Sequence, residues 1–268
     1  IASGHYSTVG GGWNNDASAD FATISGGGPS DPVSNPTTTN NRVTDDYGTI
    51  GGGGGNQAGD DDGDPANATY ATVGGGYSNE AIGYISTVGG GYDNTASGSR
   101  STVGGGYNNT AAGDYSFAAG YSANDGGNDR PFVWDDGSGS DATLANTFNV
   151  NASGGIYLNG MVHAASDRNL KEGFTPIDAE DVLSKVLDIP ITTWRFKSED
   201  DEVKHIGPVA QDFMASFGYG SSDKHITSTD ADGVALAAIQ GLNQKLTQEL
   251  ADVRAEKQTE IDSLREQF

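Results

Sequence analysis

The sequence predicts a mainly β solenoid in its N-terminal half, followed by a small α+β domain and a C-terminal coiled coil. Three observations support this division. Glycine accounts for 41 of the 268 residues and falls mostly before Met161. Apolar residues make up only 34% of the chain, which is low for a globular domain. A short glycine-rich phrase also recurs at a nearly constant interval, which is the sequence signature of stacked repeats.

The repeated phrase is a small residue, a threonine, an aliphatic residue and three glycines. Successive aliphatic positions lie 15, 26, 23, 15, 15 and 15 residues apart, so the base period is 15 with two insertions. Two short strands and two tight turns close one coil of this length. We expect one strand to hold an inward Val or Ile and the other an inward Ala, with an aromatic residue and Asn or Asp between them. The aligned aliphatic positions are Val9, Ile24, Ile50, Val73, Val88, Val103 and Ala118.

A single coil of this kind has very little apolar core. At about 25 cal/mol per Å² of buried apolar surface, one Val and one Ala do not offset an ordering cost of about 1–2 kcal/mol per residue. Stacking and sister chains must supply the rest, so the sequence predicts a homotrimer with Val73, Val88 and Val103 in its core. A monomeric solenoid and a disordered glycine-rich tract are the alternatives.

The two insertions predict surface loops at residues 29–44 and 56–68, because Pro, Asn, Asp and Thr dominate them. Loops on a rigid scaffold are common positions for binding sites. No cofactor or metal site is predicted. The acidic run from Asp60 to Asp64 offers oxygen ligands for Ca²⁺ but lacks the alternating spacing of an EF-hand loop, so a solvated acidic loop is favoured. The candidate receptor contacts are Asn40, Asn41, Arg42, Asp60, Asp61 and Asp62.

The charge of the chain excludes one class of partner. The net charge is −23, of which residues 1–165 contribute −14 and residues 166–268 contribute −9. Such a chain repels polyanions, so nucleic acid is not an expected partner. The acidity is typical of proteins kept soluble in high salt, and an ordinary acidic surface is the alternative. There is no cysteine, and no apolar run predicts membrane insertion. Because Ile1 falls inside a repeat, we expect the chain to begin part-way through a longer protein.

The repeats resemble the head repeats of trimeric autotransporter adhesins of the YadA type over residues 1–122. The resemblance implies a left-handed trimeric β-roll. Adhesin heads and phage fibres share this architecture, so the resemblance does not separate these two functions. Residues 123–165 are predicted to form a β neck with short strands at 132–134, 148–150 and 156–158. A plain linker is the alternative.

Two motifs and a terminal helix mark the C-terminal part, with SDRNLKE at residues 166–172 and GPVAQDF at residues 207–213. Together they resemble the intramolecular chaperone, or autocleavage, domain of endosialidase tailspikes and phage tail fibres, here residues 166–235. The resemblance implies that this domain trimerises first and then cuts the bond between Ala165 and Ser166. It makes Ser166 the nucleophile and Lys171 its partner, in a serine peptidase of at most one turnover. On the spacing alone, Ser166 as a helix cap and Lys171 as a surface charge remain open.

The last segment, residues 236–268, predicts a trimeric coiled coil. Its core positions advance by steps of 3, 4 and 4 residues, which is an 11-residue period and predicts a straight or slightly right-handed bundle. A lone amphipathic helix is the alternative. The core positions are Ile239, Leu242, Leu246, Leu250, Val253, Lys257, Ile261, Leu264 and Phe268.

Three functions follow from these observations. The first is a viral tail fibre that binds a host cell-surface receptor, either a glycan or a surface-layer protein, and joins other virion tail proteins upstream of residue 1. The second is a cellular trimeric adhesin or surface appendage built from the same parts. The third is a polysaccharide-degrading tailspike, for which no paired-carboxylate site is visible. The expected location is the virion or the extracellular surface.

Overall fold

The computed structural model describes residues 1–36, 39–137, 144–160, 162, 165–197 and 199–267. The predicted core position Phe268 and two residues of the first predicted loop, 37–38, lie outside the described residues. The chain divides into two compact units, Ile1–Tyr157 and Leu158–Phe268.

The first unit is a parallel β-solenoid, which confirms the fold predicted from the repeat. As far as residue 121 its strands alternate between two sheets, and the last three strands all belong to the same sheet. The β-branched Thr and Val of the repeated phrase suit this half-buried, pleated position. The strands are β1 (Thr8–Val9), β2 (Asp16–Ala17), β3 (Thr23–Ile24), β4 (Arg42–Val43), β5 (Thr49–Ile50), β6 (Gln57–Ala58), β7 (Thr72–Val73), β8 (Glu80–Ala81), β9 (Thr87–Val88), β10 (Thr95–Ala96), β11 (Thr102–Tyr107), β12 (Thr110–Ala111), β13 (Phe117–Tyr121), β14 (Phe132–Asp136) and β15 (Phe148–Asn151).

The register of the two sheets follows the predicted period. The nine-stranded sheet runs β1-β3-β5-β7-β9-β11-β13-β14-β15, and the six-stranded sheet runs β12-β10-β8-β6-β4-β2. Ile24 pairs with Ile50 across the first insertion, and Ile50 pairs with Val73 across the second. The inward Val or Ile of one strand and the inward Ala or Val of the other form one continuous core, as expected.

The assignment of the repeat valines to a trimer core is corrected by this arrangement. Val73, Val88 and Val103 have no exposed surface within the single chain. They pack inside their own coil against the inward residues of the other sheet. No surface of these side chains is left to contact a sister chain, so any contact between copies uses other residues.

The solenoid also continues beyond residue 122, where the sequence placed the start of a neck. β14 and β15 carry on the nine-stranded sheet in register, and Val133 is buried in line with the earlier valines. Two of the three short strands predicted in this segment are therefore coils of the same solenoid. Residues 156–158 form no strand.

A column of buried asparagines runs through the solenoid beside the apolar core. Asn94 is typical: its Nδ2 lies 3.0 Å from the carbonyl oxygens of Gly90 in its own coil and Gly106 in the next coil. Its Oδ1 accepts the backbone N–H of Asn109 at 3.0 Å and the side-chain N–H of Asn109 at 2.9 Å. Each asparagine thus joins two coils where the strands end. The column comprises Asn15, Asn41, Asn56, Asn79, Asn94 and Asn109, all at most 2% exposed.

The insertions are shorter than predicted. Asn41 belongs to the asparagine column, and β4 and β6 are regular strands of the six-stranded sheet. The excursions from the coil are therefore residues 29–40 and 61–68. They leave from opposite turns, since the first lies between β3 and β4 and the second between β6 and β7.

The second unit is a small α+β domain that ends in a long helix. Asp178 caps the first helix by accepting the N–H groups of Glu180 and Asp181. Buried apolar side chains from all three helices form its core. Within the described residues, no helix is both long and apolar enough to span a membrane. The elements are a short 3-10 helix (Arg168–Leu170), α1 (Ala179–Asp188), β16 (Thr192–Trp194), β17 (His205–Gly207), α2 (Ala210–Phe217) and α3 (Ser228–Glu266).

Replacing Asn94 with Ala should destabilise the solenoid strongly. The change removes the side-chain donor of the Gly90 carbonyl and the acceptor of the buried Asn109 backbone N–H. The Gly106 carbonyl keeps only the N–H of Tyr92. We expect a loss of about 2–4 kcal/mol in the free energy of unfolding, measured by chemical denaturation. Thr95→Ala, one residue away and half-exposed, is the matched control and should change this value by less than about 1 kcal/mol. Equal effects of the two substitutions would contradict the role of the column.

Two glycines of α3 should respond in opposite ways to alanine. A Cβ on Gly241 would lie 2.1 Å from the carbonyl oxygen of Ala179 in α1, whereas a Cβ on Gly233 would meet nothing within 4 Å. Gly241→Ala should lower the thermal stability of the second unit by about 1–3 kcal/mol through overpacking. Gly233→Ala should raise it by about 0.5–1 kcal/mol, since alanine favours the helix. Differential scanning calorimetry of both variants checks the two signs.

Candidate functional site

The structure brings Ser166 and Lys171 into contact. Lys171 Nζ donates a hydrogen bond to Ser166 Oγ at 2.8 Å. The 3-10 helix between them forms a tight turn, which Lys171 closes by donating its backbone N–H to the carbonyl of Arg168. Five residues of separation therefore suffice to place an amine beside the hydroxyl.

The alternative role of Ser166 as a helix cap is wrong. Asp167 is the cap, and its carboxylate accepts the backbone N–H of Asn169 at 2.9 Å and the side-chain N–H of Asn169 at 3.0 Å. The guanidinium of Arg168 lies 4.6 Å from the ring centroid of Phe174, which ties the turn to the segment after it. The Ser166 hydroxyl therefore caps no helix and accepts the hydrogen bond from Lys171.

Ala165, Ser166 and Lys171 are all exposed in the single chain. Water therefore competes for both polar groups of the pair, and the contact itself contributes little stability. A serine needs a neighbouring base to act as a nucleophile, and Ser-Lys pairs fill this role in place of a triad. The hydrogen bond between the amine and the hydroxyl is present, while the shielding from water that strengthens such a site is not supplied by one chain.

The second half of α3 presents an apolar stripe that no described part of its own unit covers. The core of the second unit ends at Ala238, and the stripe begins at the next residue. Lys257, the polar position of the stripe, forms an ion pair of 2.7 Å with Glu260 on the same helix. The exposed apolar positions are Ile239 63%, Leu242 55%, Leu246 53%, Leu250 50%, Val253 53%, Ile261 44% and Leu264 51%.

The receptor-contact candidates separate into buried and exposed residues. Asn41 is fully buried in the asparagine column and Asn40 is 7% exposed, so these two candidates are corrected. Arg42 is half-buried and donates its Nε to Gln57 Oε1 at 3.0 Å in the next coil. Asp61 and Asp62 are exposed at the tip of the second excursion. The N–H of Asp64 donates to Asp62 and holds the pKa of this carboxyl below its usual range.

Asp45 anchors the second excursion, and the sequence did not single it out. Its carboxylate is 1% exposed and accepts the backbone N–H groups of Asp60 at 3.0 Å and Ala68 at 3.2 Å. Burial raises the pKa of Asp45. Asp45 stands at a position of the repeat where later coils have glycine, namely Gly83 and Gly98. An aspartate in place of this glycine is a signal that an alignment of the repeats could have found.

An acidic cleft of about 450 Å³ lies beside this excursion and is lined by Asp20, Asp46, Asp61 and Asp64 together with His5. The residues considered as calcium ligands, Asp60 to Asp64, belong to this loop region. Among the described residues, no three carboxylate or imidazole groups converge closely enough to hold a metal ion. Asp60 and Asp62 instead accept backbone N–H groups of the loop itself.

Comparison with known proteins identifies the second unit in part. Residues 166–219 match a family model described as chaperone of endosialidase. The match begins at Ser166 and includes Lys171 and the GPVAQDF motif, and it spans about one fifth of the chain. It confirms the predicted intramolecular chaperone module. No curated protein matches the chain.

Proposed function

We propose that this chain is a homotrimeric viral tail fibre whose C-terminal module assembles the trimer and then releases itself by cutting before Ser166. The fibre acts on the virion surface and binds a glycan or surface-layer protein of the host cell through the solenoid excursions. The contact of 2.8 Å between Lys171 and Ser166, at the first residue of the chaperone match, is the observation that carries the proposal.

The cleavage is an N-to-O acyl shift followed by hydrolysis. Ser166 Oγ attacks the carbonyl carbon of Ala165 while neutral Lys171 takes the hydroxyl proton. The bond from that carbon to the Ser166 nitrogen breaks, the nitrogen receives the proton, and an ester remains. Water then opens the ester, which leaves a carboxylate on Ala165 and a free amine on Ser166. The lysine acts as a base only in its neutral form, which burial or a nearby cation favours.

Trimerisation through α3 covers the apolar stripe that a single chain leaves exposed. Burying the exposed half of each Leu or Ile in the stripe contributes about 1 kcal/mol per side chain. An apolar stripe of this length on a chain of net charge −23 is a solubility liability unless other copies cover it. The 3-4-4 spacing keeps the stripe on one side of the helix, where two further helices can pack against it.

The solenoid excursions provide the proposed receptor contacts. Residues 61–68 project from the coil, and Asp45 and the coil backbone hold their base rigidly. Asp61 and Asp62 present exposed acceptors that suit sugar hydroxyls or surface-layer amides and lysines. The first excursion leaves from the opposite turn, so the two do not form one site within a chain.

Ser166→Ala and Lys171→Met should each abolish self-cleavage without preventing trimer formation. The first removes the nucleophile and the second removes its base. Intact mass spectrometry of the denatured wild-type protein should show two fragments with a junction at Ala165. Lys204→Met, at another exposed lysine of the same unit, is the control and should cleave like the wild type. A single full-length wild-type species after native assembly would contradict the cleavage.

Leu246→Asp and Leu250→Asp should prevent trimer formation, since each would bury a carboxylate in the helical interface. With Ser166→Ala present in every chain to prevent cleavage, light scattering should give three times the monomer mass for the parent chain and the monomer mass for both variants. Ala255→Asp, on the opposite face of α3, is the matched control and should remain trimeric. A monomeric Ser166→Ala parent chain would overturn the proposed assembly.

A further inference from the structure

The outer surface of the nine-stranded sheet is free of charge across seven consecutive coils. No Asp, Glu, Lys, Arg or His occurs in the strands β1, β3, β5, β7, β9, β11 and β13 or in the glycine and aromatic residues that extend them, whereas β14, beyond these coils, ends in Asp135 and Asp136. We call this surface the uncharged face. Its segments are residues 8–13, 23–28, 49–54, 72–77, 87–92, 102–107 and 117–121.

The rest of the solenoid surface carries charged residues. The outward positions of the six-stranded sheet include Asp16, Arg42 and Glu80. The turn that returns to the nine-stranded sheet carries Asp20 and Asp46, whose carboxylates accept backbone N–H groups of neighbouring coils. Since residues 1–165 have a net charge of −14, the absence of charge on one face is a local property.

The uncharged face carries small residues at first and becomes more apolar along the chain. A Cβ on Gly11 or on Gly26, which occupy equivalent positions in the first two coils, would meet nothing within 4 Å. In later coils phenylalanine replaces the outward threonine, and the three rings stack at 4.8 Å and 4.6 Å between centroids. The last ring, Phe148, is 74% exposed. The stacked phenylalanines are Phe117, Phe132 and Phe148.

A column of tyrosines borders the glycines and argues against a carbohydrate on this face. Tyr77, Tyr92 and Tyr107 stack with centroids 5.0 Å and 5.2 Å apart and planes within 5°. Each ring face is therefore covered by the next ring, and mainly ring edges reach the solvent. A sugar ring stacks on an aromatic face rather than on its edge.

We infer that the uncharged face is the surface on which the solenoids of three copies pack together. This inference rests on the proposed homotrimer and names where its N-terminal halves meet. Identical acidic chains repel one another wherever like charges oppose, so a charge-free sheet face is where copies approach at the least cost. The exposed phenylalanines add apolar surface that a second copy buries. The uncharged face thus replaces the repeat valines as the expected contact between copies, because those valines are buried within each coil.

Single cysteines on the two sheets test the inference, because the chain has no cysteine of its own. Thr87 on the uncharged face and Thr95 on the other sheet are both half-exposed outward residues of two-residue strands in the same coil. In the full-length trimer, Thr87→Cys should react with a maleimide at least about tenfold more slowly than Thr95→Cys, since the thiol must be accessible to react. Thr72→Cys and Thr102→Cys occupy the equivalent position in adjacent coils and should reproduce the protection if Thr87→Cys does not fold.

The oligomeric state separates failure of the inference from failure of the proposed function. Light scattering of each variant establishes whether it is trimeric before labelling. Equal labelling rates at the two positions in a confirmed trimer would overturn the uncharged face as the interface and leave the homotrimer standing. A monomeric protein with the wild-type sequence would overturn both.

Discussion

The asparagine column is the interaction on which the solenoid depends. Most strands are only two residues long, so the ladders between coils leave many backbone groups at the turns without partners. A buried carbonyl or N–H without a partner costs more than an ordinary hydrogen bond contributes. The asparagine amide has two donors and one acceptor oxygen with two lone pairs, which allows one side chain to serve carbonyls of two coils and the next asparagine. Aspartate lacks the donors, and alanine lacks both. The column ends at Asn109, whose Oδ1 accepts the N–H of Ala123, and from there longer strands replace it.

The same column limits the apolar core. Each coil gives part of its interior to an amide, so one Val or Ile and one small apolar residue are left to exclude water. The stability of such a coil comes from its neighbours in the stack, as in other repeat proteins. It also explains why the outer faces differ in composition. The six-stranded sheet and the turns hold the charges that keep the chain soluble, while the nine-stranded sheet keeps Thr, Gly, Tyr and Phe on its outer surface.

The sequence predicted the repeat better than it predicted the role of individual residues. The Thr-Val alternation located the inward aliphatic residues of the nine-stranded sheet from Ile24 to Val103 across both insertions, because a period of two fixes which side of a strand is buried. Val43, buried in the other sheet, was placed in a surface loop instead. The asparagines were assigned to turns, since Asn favours turns. Their burial follows only from the stacking of one coil on the next. The coils around Val133 and Phe148 kept the alternation but lost the glycines, so their membership of the solenoid was missed. For the pair Ser166 and Lys171 the spacing alone left two interpretations open; the cap supplied by Asp167 removes the cap role of Ser166, and the reactive role of the pair stays a prediction.

Two features of the second unit are incomplete in one chain for the same physical reason. The apolar stripe of α3 lacks a partner, and the Ser166–Lys171 pair lacks shielding from water. On the proposed function, both are completed by the same event, the association of three copies. An amine in water is held in its protonated form and cannot accept the serine proton, whereas burial in a drier interface favours the neutral form that can. A cut that depends on this change occurs only in chains that have already assembled. An unassembled chain would retain its chaperone, and the exposed state of the pair is what makes that order of events physically reasonable.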